Sequence, residues 1–358
     1  MVERVFVHIG LPKTATSYLQ TILWSSRDAL RSRGVVVPGE ERRDHLWASR
    51  TVREDHHQDR APERHRTAWS RICAELAETP GTGLLSHEFF AAASAKQAGA
   101  MVAALPTDDV HVVVTAREPL GLFTASWQES LKNGSTTPMA DYARGESRRS
   151  TAIWNWRTLD LRLVLERWSR AVPPERIHVV VLDPEAPRDD VWHRFAGVVG
   201  FPPDGIDLSA SFPNTSMGVV EAETLRRVNG SLEGFGSAFD RGVWIRTFLA
   251  DERLVPRGGE RFWPEPDQVD DCRQRAEAAI DHLGSAPYDV VGDVEHLRVP
   301  TDLEPRRSTT SVTDSEVAGV AVDLVATLMG DVRRLRRAAS RRPTRPRWRS
   351  WLGRLRRR

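Results

Sequence analysis

The segment His8-Ile9-Gly10-Leu11-Pro12-Lys13-Thr14-Ala15-Thr16-Ser17-Tyr18-Leu19-Gln20 places a glycine, a lysine and three hydroxyl side chains between a β-branched run and a helical pattern. A buried strand ending in a glycine turn, followed by lysine, hydroxyls and a helix, builds a cradle for an anion. The helix N-terminus offers unpaired N–H groups and the positive end of its dipole. Lys13 adds a mobile charge, and Thr14, Thr16 and Ser17 add donors. A nucleoside-triphosphate loop needs a second glycine directly before its lysine, with four residues between the glycines. Here Pro12 precedes Lys13, which follows Gly10 by only three positions. The spacing argues against that motif.

Read as Pro12-Lys13-Thr14-Ala15-Thr16-Ser17, the loop resembles the 5′-phosphosulfate loop of sulfotransferases that use 3′-phosphoadenosine-5′-phosphosulfate (PAPS). That loop is written Pro-Lys-[Ser/Thr]-Gly-[Ser/Thr]-[Ser/Thr], so Ala15 stands where glycine is usual, a mild departure if the residue is helical. The resemblance implies that Gly10, Pro12, Lys13, Thr14, Ala15, Thr16 and Ser17 bind the donor. Tyr18 then either borders the adenine or sits in the core. The family's 3′-phosphate site is an arginine at a strand end with a serine eight residues on. In Ala116-Arg117-Glu118-Pro119, Arg117 matches the arginine, and its always-charged fork suits a pair of phosphate oxygens. Ala125 stands at the serine position, flanked by Thr124 and Ser126, of which Ser126 is favoured. The family's base region corresponds to Gly83-Leu84-Leu85-Ser86-His87-Glu88-Phe89-Phe90, which ranks Glu88 first as base, then His87, then His8.

The resemblance therefore implies transfer of a sulfuryl group from PAPS to a hydroxyl of a glycan, lipid or small-molecule acceptor, with no metal. Two other readings stay open: an ATP-dependent, kinase-like P-loop enzyme, and an inactive module that keeps the nucleotide site. His56, His57 and His65 lack the helical spacing of a zinc motif, and a solvated loop is expected there. No Gly-x-Ser-x-Gly elbow supports a serine hydrolase.

Elements must hold these groups in place. Continuously apolar runs at Val5–Ile9, Val35–Val37, Gly83–Ser86, Val110–Thr115 and Ile177–Leu182 read as strands buried on both faces of a parallel sheet. Helical spacing between them, as in Tyr18-Leu19-Ile22-Leu23 and Trp69-Ile72-Cys73-Leu76, predicts α/β crossovers. The fold class expected is a three-layer α/β sheet with helices on both faces; the resemblance adds the P-loop-like sulfotransferase fold. Glu40 to Arg66, dense in charge and histidine, reads as a surface excursion. Asn214-Thr215-Ser216 is expected near the site. A capping box at Thr313-Asp314-Ser315-Glu316 starts a last helix, about 314–337, whose face Val317, Val320, Leu324, Leu328, Val332, Leu335 is expected to dock on the body.

The chain has 358 residues, with 51 basic against 49 acidic side chains and a net charge of +2. That near-neutrality hides an asymmetry. Residues 332–358 carry 13 arginines and no acid, which leaves 38 basic against 49 acidic residues in the first 331. A single domain over 1–331 followed by an arginine-rich tail over 332–358 is the expected organisation. Trp348, Trp351, Leu352 and Leu355 give the tail a basic amphipathic pattern, which fits an anionic membrane face, another polyanion or a solvated tail. No specific nucleic-acid partner is expected. With two cysteines, no spanning segment and no secretory pattern at Met1–His8, the expected location is the cytoplasm, with any membrane contact peripheral and at the inner face.

Overall fold

The computed structural model describes residues 1–209 and 216–341. Six strands form one parallel sheet: β1 (Arg4–His8), β2 (Val35–Val36), β3 (Thr82–Ser86), β4 (Val110–Ala116), β5 (Ile177–Val181) and β6 (Asp289–Val291). Their order is β2-β3-β1-β4-β5-β6, and the pairings across the sheet are parallel. Each of the five predicted runs forms a strand within one residue of the expected bounds. β6 was not predicted, because three residues in a Pro-, Gly- and Asp-rich stretch carry no periodic signal.

The sheet is covered on both faces. Phe6, Leu84, Val113 and Val180 pack with Leu19, Ile22, Trp192 and Phe195 of two helices in one buried cluster. Their strand neighbours Val5, Val7, Leu85, Val112, Val114 and Val179, inaccessible too, point to the opposite side. The strand order decides where a ligand can sit. The chain runs from β1 to the β2/β3 side and then crosses to β4, on β1's other flank. The carboxyl ends of β1, β3 and β4 therefore open at the switch point, where open α/β sheets bind ligands.

The stretch from Glu40 to Arg66 is not the surface excursion expected from its charge. It contains a helix at Arg43–Val52, a 3₁₀ turn at His56–Arg60 and a short helix at Glu63–Arg66. Polar residues that read as solvated are satisfied inside. Asp44 accepts from the Glu40 N–H at 2.9 Å and pairs with Arg71 at 3.1 Å. His45 is fully buried: its Nδ1 accepts from the Ser86 N–H at 3.1 Å, which leaves Nε2–H to donate to the Pro38 carbonyl at 2.8 Å.

The chain divides into two compact units, Met1–Ser311 and Val312–Arg358. The second contains the helix Asp314–Arg341, capped as the sequence predicts: Thr313 N–H donates to Glu316 Oε2 at 2.8 Å, and Glu316 N–H donates to Thr313 Oγ1 at 3.3 Å. On its predicted apolar face Val320 and Leu324 are buried, whereas Val332 and Leu335 are exposed. The helix takes in the start of the arginine-rich segment; Trp348, Trp351, Leu352 and Leu355 lie outside the described residues. No helix among the described residues is long and apolar enough to cross a membrane.

Candidate functional site

The loop after β1 is fastened to β4. Ile9 N–H donates to the Val113 carbonyl at 3.0 Å and Leu11 N–H to the Thr115 carbonyl at 2.7 Å. Beneath it runs a buried polar chain. His8 Nδ1 meets Ser86 Oγ at 2.8 Å and His8 Nε2 meets Thr115 Oγ1 at 3.2 Å. Thr115 Oγ1 shares a hydrogen with Thr14 Oγ1 at 2.6 Å, and Thr14 donates to the Leu11 carbonyl at 2.5 Å. Burial holds the His8 pKa down to about 4, against an opposing pull from Glu88. His8 and Thr14 are thus struts beneath the loop, since neither lines the open cleft above it.

Above these struts the backbone turns left-handed twice, at Lys13 (φ 67°) and at Ala15 (φ 62°). Alternation of that kind aims successive N–H groups into one concavity. Ala15 is the N-cap of α1 (Thr16–Ser25) and supplies no side-chain cap, so the first α1 N–H groups face outward without an intrahelical acceptor. The departure from glycine at Ala15 is mild only if that residue is helical, and it is not: Ala15 is left-handed, in the region where glycine is favoured.

A cleft of about 1050 Å³ opens over this loop, lined by Lys13, Ala15, Thr16, Ser17 and Tyr18 on one side. Tyr18 borders the cleft while its ring lies 5.1 Å from the Arg188 guanidinium carbon. Gly10 lies under the loop, where a Cβ would press on Glu88 Cβ at 3.0 Å and on Pro12 N at 3.1 Å.

The opposite wall is the helix Pro119–Lys132, which presents Gly121, Thr124, Ala125, Gln128, Glu129 and Lys132 to the cleft along one face. Arg117 lies just before this helix, its Nη2 donating to Glu118 Oε1 at 2.9 Å; Glu118 Oε2 in turn accepts from the Gly121 N–H at 2.7 Å. A side chain at Gly121 would collide with both Arg117 and Glu118, so glycine is what lets the fork fold over the helix. Ser126 departs from expectation. It is fully buried, on the far side of the helix, with its hydroxyl 2.6 Å from Tyr142 Oη. Thr124, two residues earlier, supplies the hydroxyl that lines the cleft; its Oγ1 donates to the Leu120 carbonyl at 3.0 Å and keeps lone pairs free.

Of the three candidate bases, Glu88 reaches the cleft. Its Oε2 accepts from Gln20 Nε2 at 2.9 Å. Burial alone would raise its pKa, but His87, a backbone N–H and the Gln20 amide outweigh burial and hold it below the usual carboxylate range. His87 does not line the cleft; its Nδ1 accepts from the Phe89 N–H at 3.1 Å, and burial lowers its pKa to about 4.

The structure adds residues that sequence reasoning missed. Glu129 pairs with Lys13 at 3.1 Å and with Arg246. Burial would raise its pKa, but Lys13, Arg246 and Lys132 bring it down to about 2. Lys132 pairs with Asp251 at 2.6 Å. Phe89 and Trp154, edge to face at 5.9 Å, line the cleft with Glu88. Arg261, Phe262, Trp263 and Arg306 line it as well. The helical residues carry a readable signal, a stripe at three- and four-residue spacing; the others lie in irregular chain, where no local pattern announces them. Ser216 also lines the cleft, whereas Asn214 and Thr215 are outside the described residues.

No protein-family model matches the sequence, and no curated protein does. A solved structure of a sulfotransferase from Alicyclobacillus acidocaldarius matches with 16% identity over 60% of this chain and 87% of that one, at a TM-score of 0.39.

In chemical terms, the cleft joins two basic groups of different character. One is a lysine beside a helix N-terminus, suited to charge that builds up during a reaction. The other is an arginine fork, suited to a standing phosphate. An ionised carboxylate, Glu88, lines the same space. Away from the cleft, Asp55, His56 and His57 bring one ligand atom each within 4.8 Å of one another. Asp55 is already engaged by the His57 N–H at 3.1 Å, and three ligands at a largely exposed position fall short of the closed four-ligand set of a structural zinc site.

Proposed function

We propose that this cleft is the active site of an O-sulfotransferase that takes its sulfuryl group from PAPS. The observation that carries the reading is the shared cleft itself: Lys13 with the α1 N-terminus, Arg117 with Thr124, and the carboxylate of Glu88 all line it. These residues fit a donor with one reacting and one standing anionic end. Gly121 leaves room for the Arg117 fork, and the left-handed Lys13 and Ala15 shape a concavity of N–H groups.

PAPS supplies the sulfuryl group and a 5′-phosphate as leaving group. Lys13 and the first N–H groups of α1 would stabilise the charge that gathers on the leaving oxygen as the S–O bond breaks. Arg117 and Thr124 would anchor the 3′-phosphate, and remote anchoring of that kind holds the sulfur in line for attack. Glu88 would accept the proton of the acceptor hydroxyl as its oxygen bonds to sulfur, a contribution of about 10²–10⁴-fold. Gln20 orients that carboxylate through its 2.9 Å hydrogen bond. Because Glu129 already pairs with Lys13, the donor must draw Lys13 away from Glu129 or share it.

The test is a melting curve with the desulfated product, PAP. PAP without Mg²⁺ is expected to raise the melting temperature of the wild type by several degrees and to leave Lys13→Ala almost unmoved. Labelled sulfate should pass from PAPS to an acceptor panel with the wild type and not with Lys13→Ala. Stabilisation by ATP·Mg²⁺ but not by PAP would sink the proposal in favour of a kinase-like enzyme. PAP binding without transfer to any acceptor would leave an inactive nucleotide module.

A further inference from the structure

The rim of the cleft opposite α1 is built by two short segments that clamp one another. Phe262 pairs with Arg307 in a parallel bridge, and Trp263 N–H donates to the Arg307 carbonyl at 3.0 Å. Trp263 Nε1 donates to the Glu304 carbonyl, again at 3.0 Å. Phe262 is anchored below against Trp127, with ring centroids 5.7 Å apart. This clamp fixes Trp263 with the Arg306 guanidinium 3.9 Å from its ring centroid. A guanidinium held on an aromatic face keeps its N–H edge available to an anion and loses little freedom on binding one.

The balance of charge in the cleft shows what that edge is for. Glu118 is taken by Arg117, Glu129 by Lys13 and Arg246, and Asp251 by Lys132. Among the described residues Arg306 has only Glu304 as an acidic partner, at 3.6 Å and 85% exposed, a weak solvated contact. Arg261, on the same rim, makes no hydrogen bond or ion pair among the described residues. The donor's two anionic ends are met by Lys13 and Arg117, so the rim holds positive charge that the donor does not use. Flat apolar surface lies in the same cleft, from Phe89 and Trp154 beside Glu88 to Trp263 at the rim.

Resting on the sulfotransferase reading, we propose that the acceptor is an anionic glycoside. Arg261 and Arg306 read its carboxylate, the aromatic walls take its ring face, and its hydroxyl meets Glu88. The experiment is calorimetric titration of the full chain, first with PAP and then, in the PAP-saturated protein, with para-nitrophenyl β-D-glucuronide and para-nitrophenyl β-D-glucoside. These two probes differ only in the carboxylate. The glucuronide is expected to bind roughly tenfold tighter than the glucoside, the scale of one added charge-assisted contact. Arg261→Gln, a change at an exposed residue, should erase much of that preference, and Arg261→Gln with Arg306→Ala should erase the rest, with PAP affinity unchanged in both. Equal affinity for the two glycosides, or binding of neither, overturns the proposal. So does a variant that loses PAP instead, since its arginines would then serve the donor. Failure of the wild type to bind PAP in the first titration would strike the donor reading alone, because the glycoside preference can still be measured without PAP.

Discussion

Thr124 and Ser126 sit two positions apart on one helix, yet their hydroxyls face in different directions and have different physical roles. Thr124 lines the same cleft as Arg117, while Ser126 shares a buried hydrogen bond with Tyr142. Thr124→Ala is therefore expected to weaken PAP binding by about tenfold, the scale of one hydrogen bond to a charged group, without lowering stability. Ser126→Ala should do the reverse: PAP affinity stays and stability falls by about 1 kcal/mol as Tyr142 loses its partner. Calorimetric titration and thermal melts of the two variants separate these outcomes. The sequence contains both hydroxyls, and it favoured Ser126, which the structure buries away from the cleft, because spacing alone does not say which face of a helix is turned to an open surface. The 100° step between successive helical residues decides it, once the partner surfaces are known.

At the scale of elements, the loop between β1 and α1 concentrates the unusual backbone geometry. A non-glycine residue in the left-handed region costs roughly 1–2 kcal/mol. Ala15 carries such a conformation at the N-cap without a capping side chain. Ala15→Gly is expected to stabilise the chain by about 1 kcal/mol, less than the full relief because glycine also loosens the unfolded chain. PAP binding should be retained, since the N–H groups keep their direction. A melt lower than that of the wild type would show that Ala15 is not strained. The strand, turn, lysine and helix were all legible from the residues in order. The left-handed turns were not, because they are imposed by the fastening of the loop to β4 and by the polar chain through His8, Thr115 and Thr14. The helix Arg43–Val52 was missed for a related reason: its polar residues are paid for by distant partners, Arg71 and Ser86.

Across the whole molecule, buried histidines make stability depend on acidity. His8, His45 and His87 are held to a pKa of about 4 by burial, against an ordinary value of 6.5. Between those values the unfolded chain binds protons that the folded chain refuses. Their contribution is thus complete above about pH 6.5 and is lost as pH falls from 6.5 towards 4. Glu129 adds a second loss at lower pH, since its carboxylate, with a pKa of about 2 instead of 4.5, must be protonated. The melting temperature should accordingly be level near pH 7–8 and drop by several degrees between pH 6.5 and 5. His8→Asn would reduce that drop if His8 titrates as described, and an unchanged profile for His45→Asn and His87→Asn as well would refute the assignment. All three histidines stand beside the strand ends that carry the cleft, so the same protonation that unfolds the chain begins under the loop that follows β1.

The order of residues by itself determined the local parts: five of the six strands, the glycine, lysine and hydroxyl loop between the first strand and its helix, the arginine after the fourth strand and the capped final helix. Each is written in neighbours a few positions apart, where hydrophobic period and turn chemistry act directly on the backbone. Only the tertiary structure decided which hydroxyl and which carboxylate share the cleft, that Glu129 holds Lys13, and that Arg261 and Arg306 stand on its rim. Those residues are brought to one surface by crossovers between strands more than a hundred positions apart. Whether a polar side chain at such a distance is solvated, buried or aimed at a ligand depends on what packs against it, and no local pattern records that.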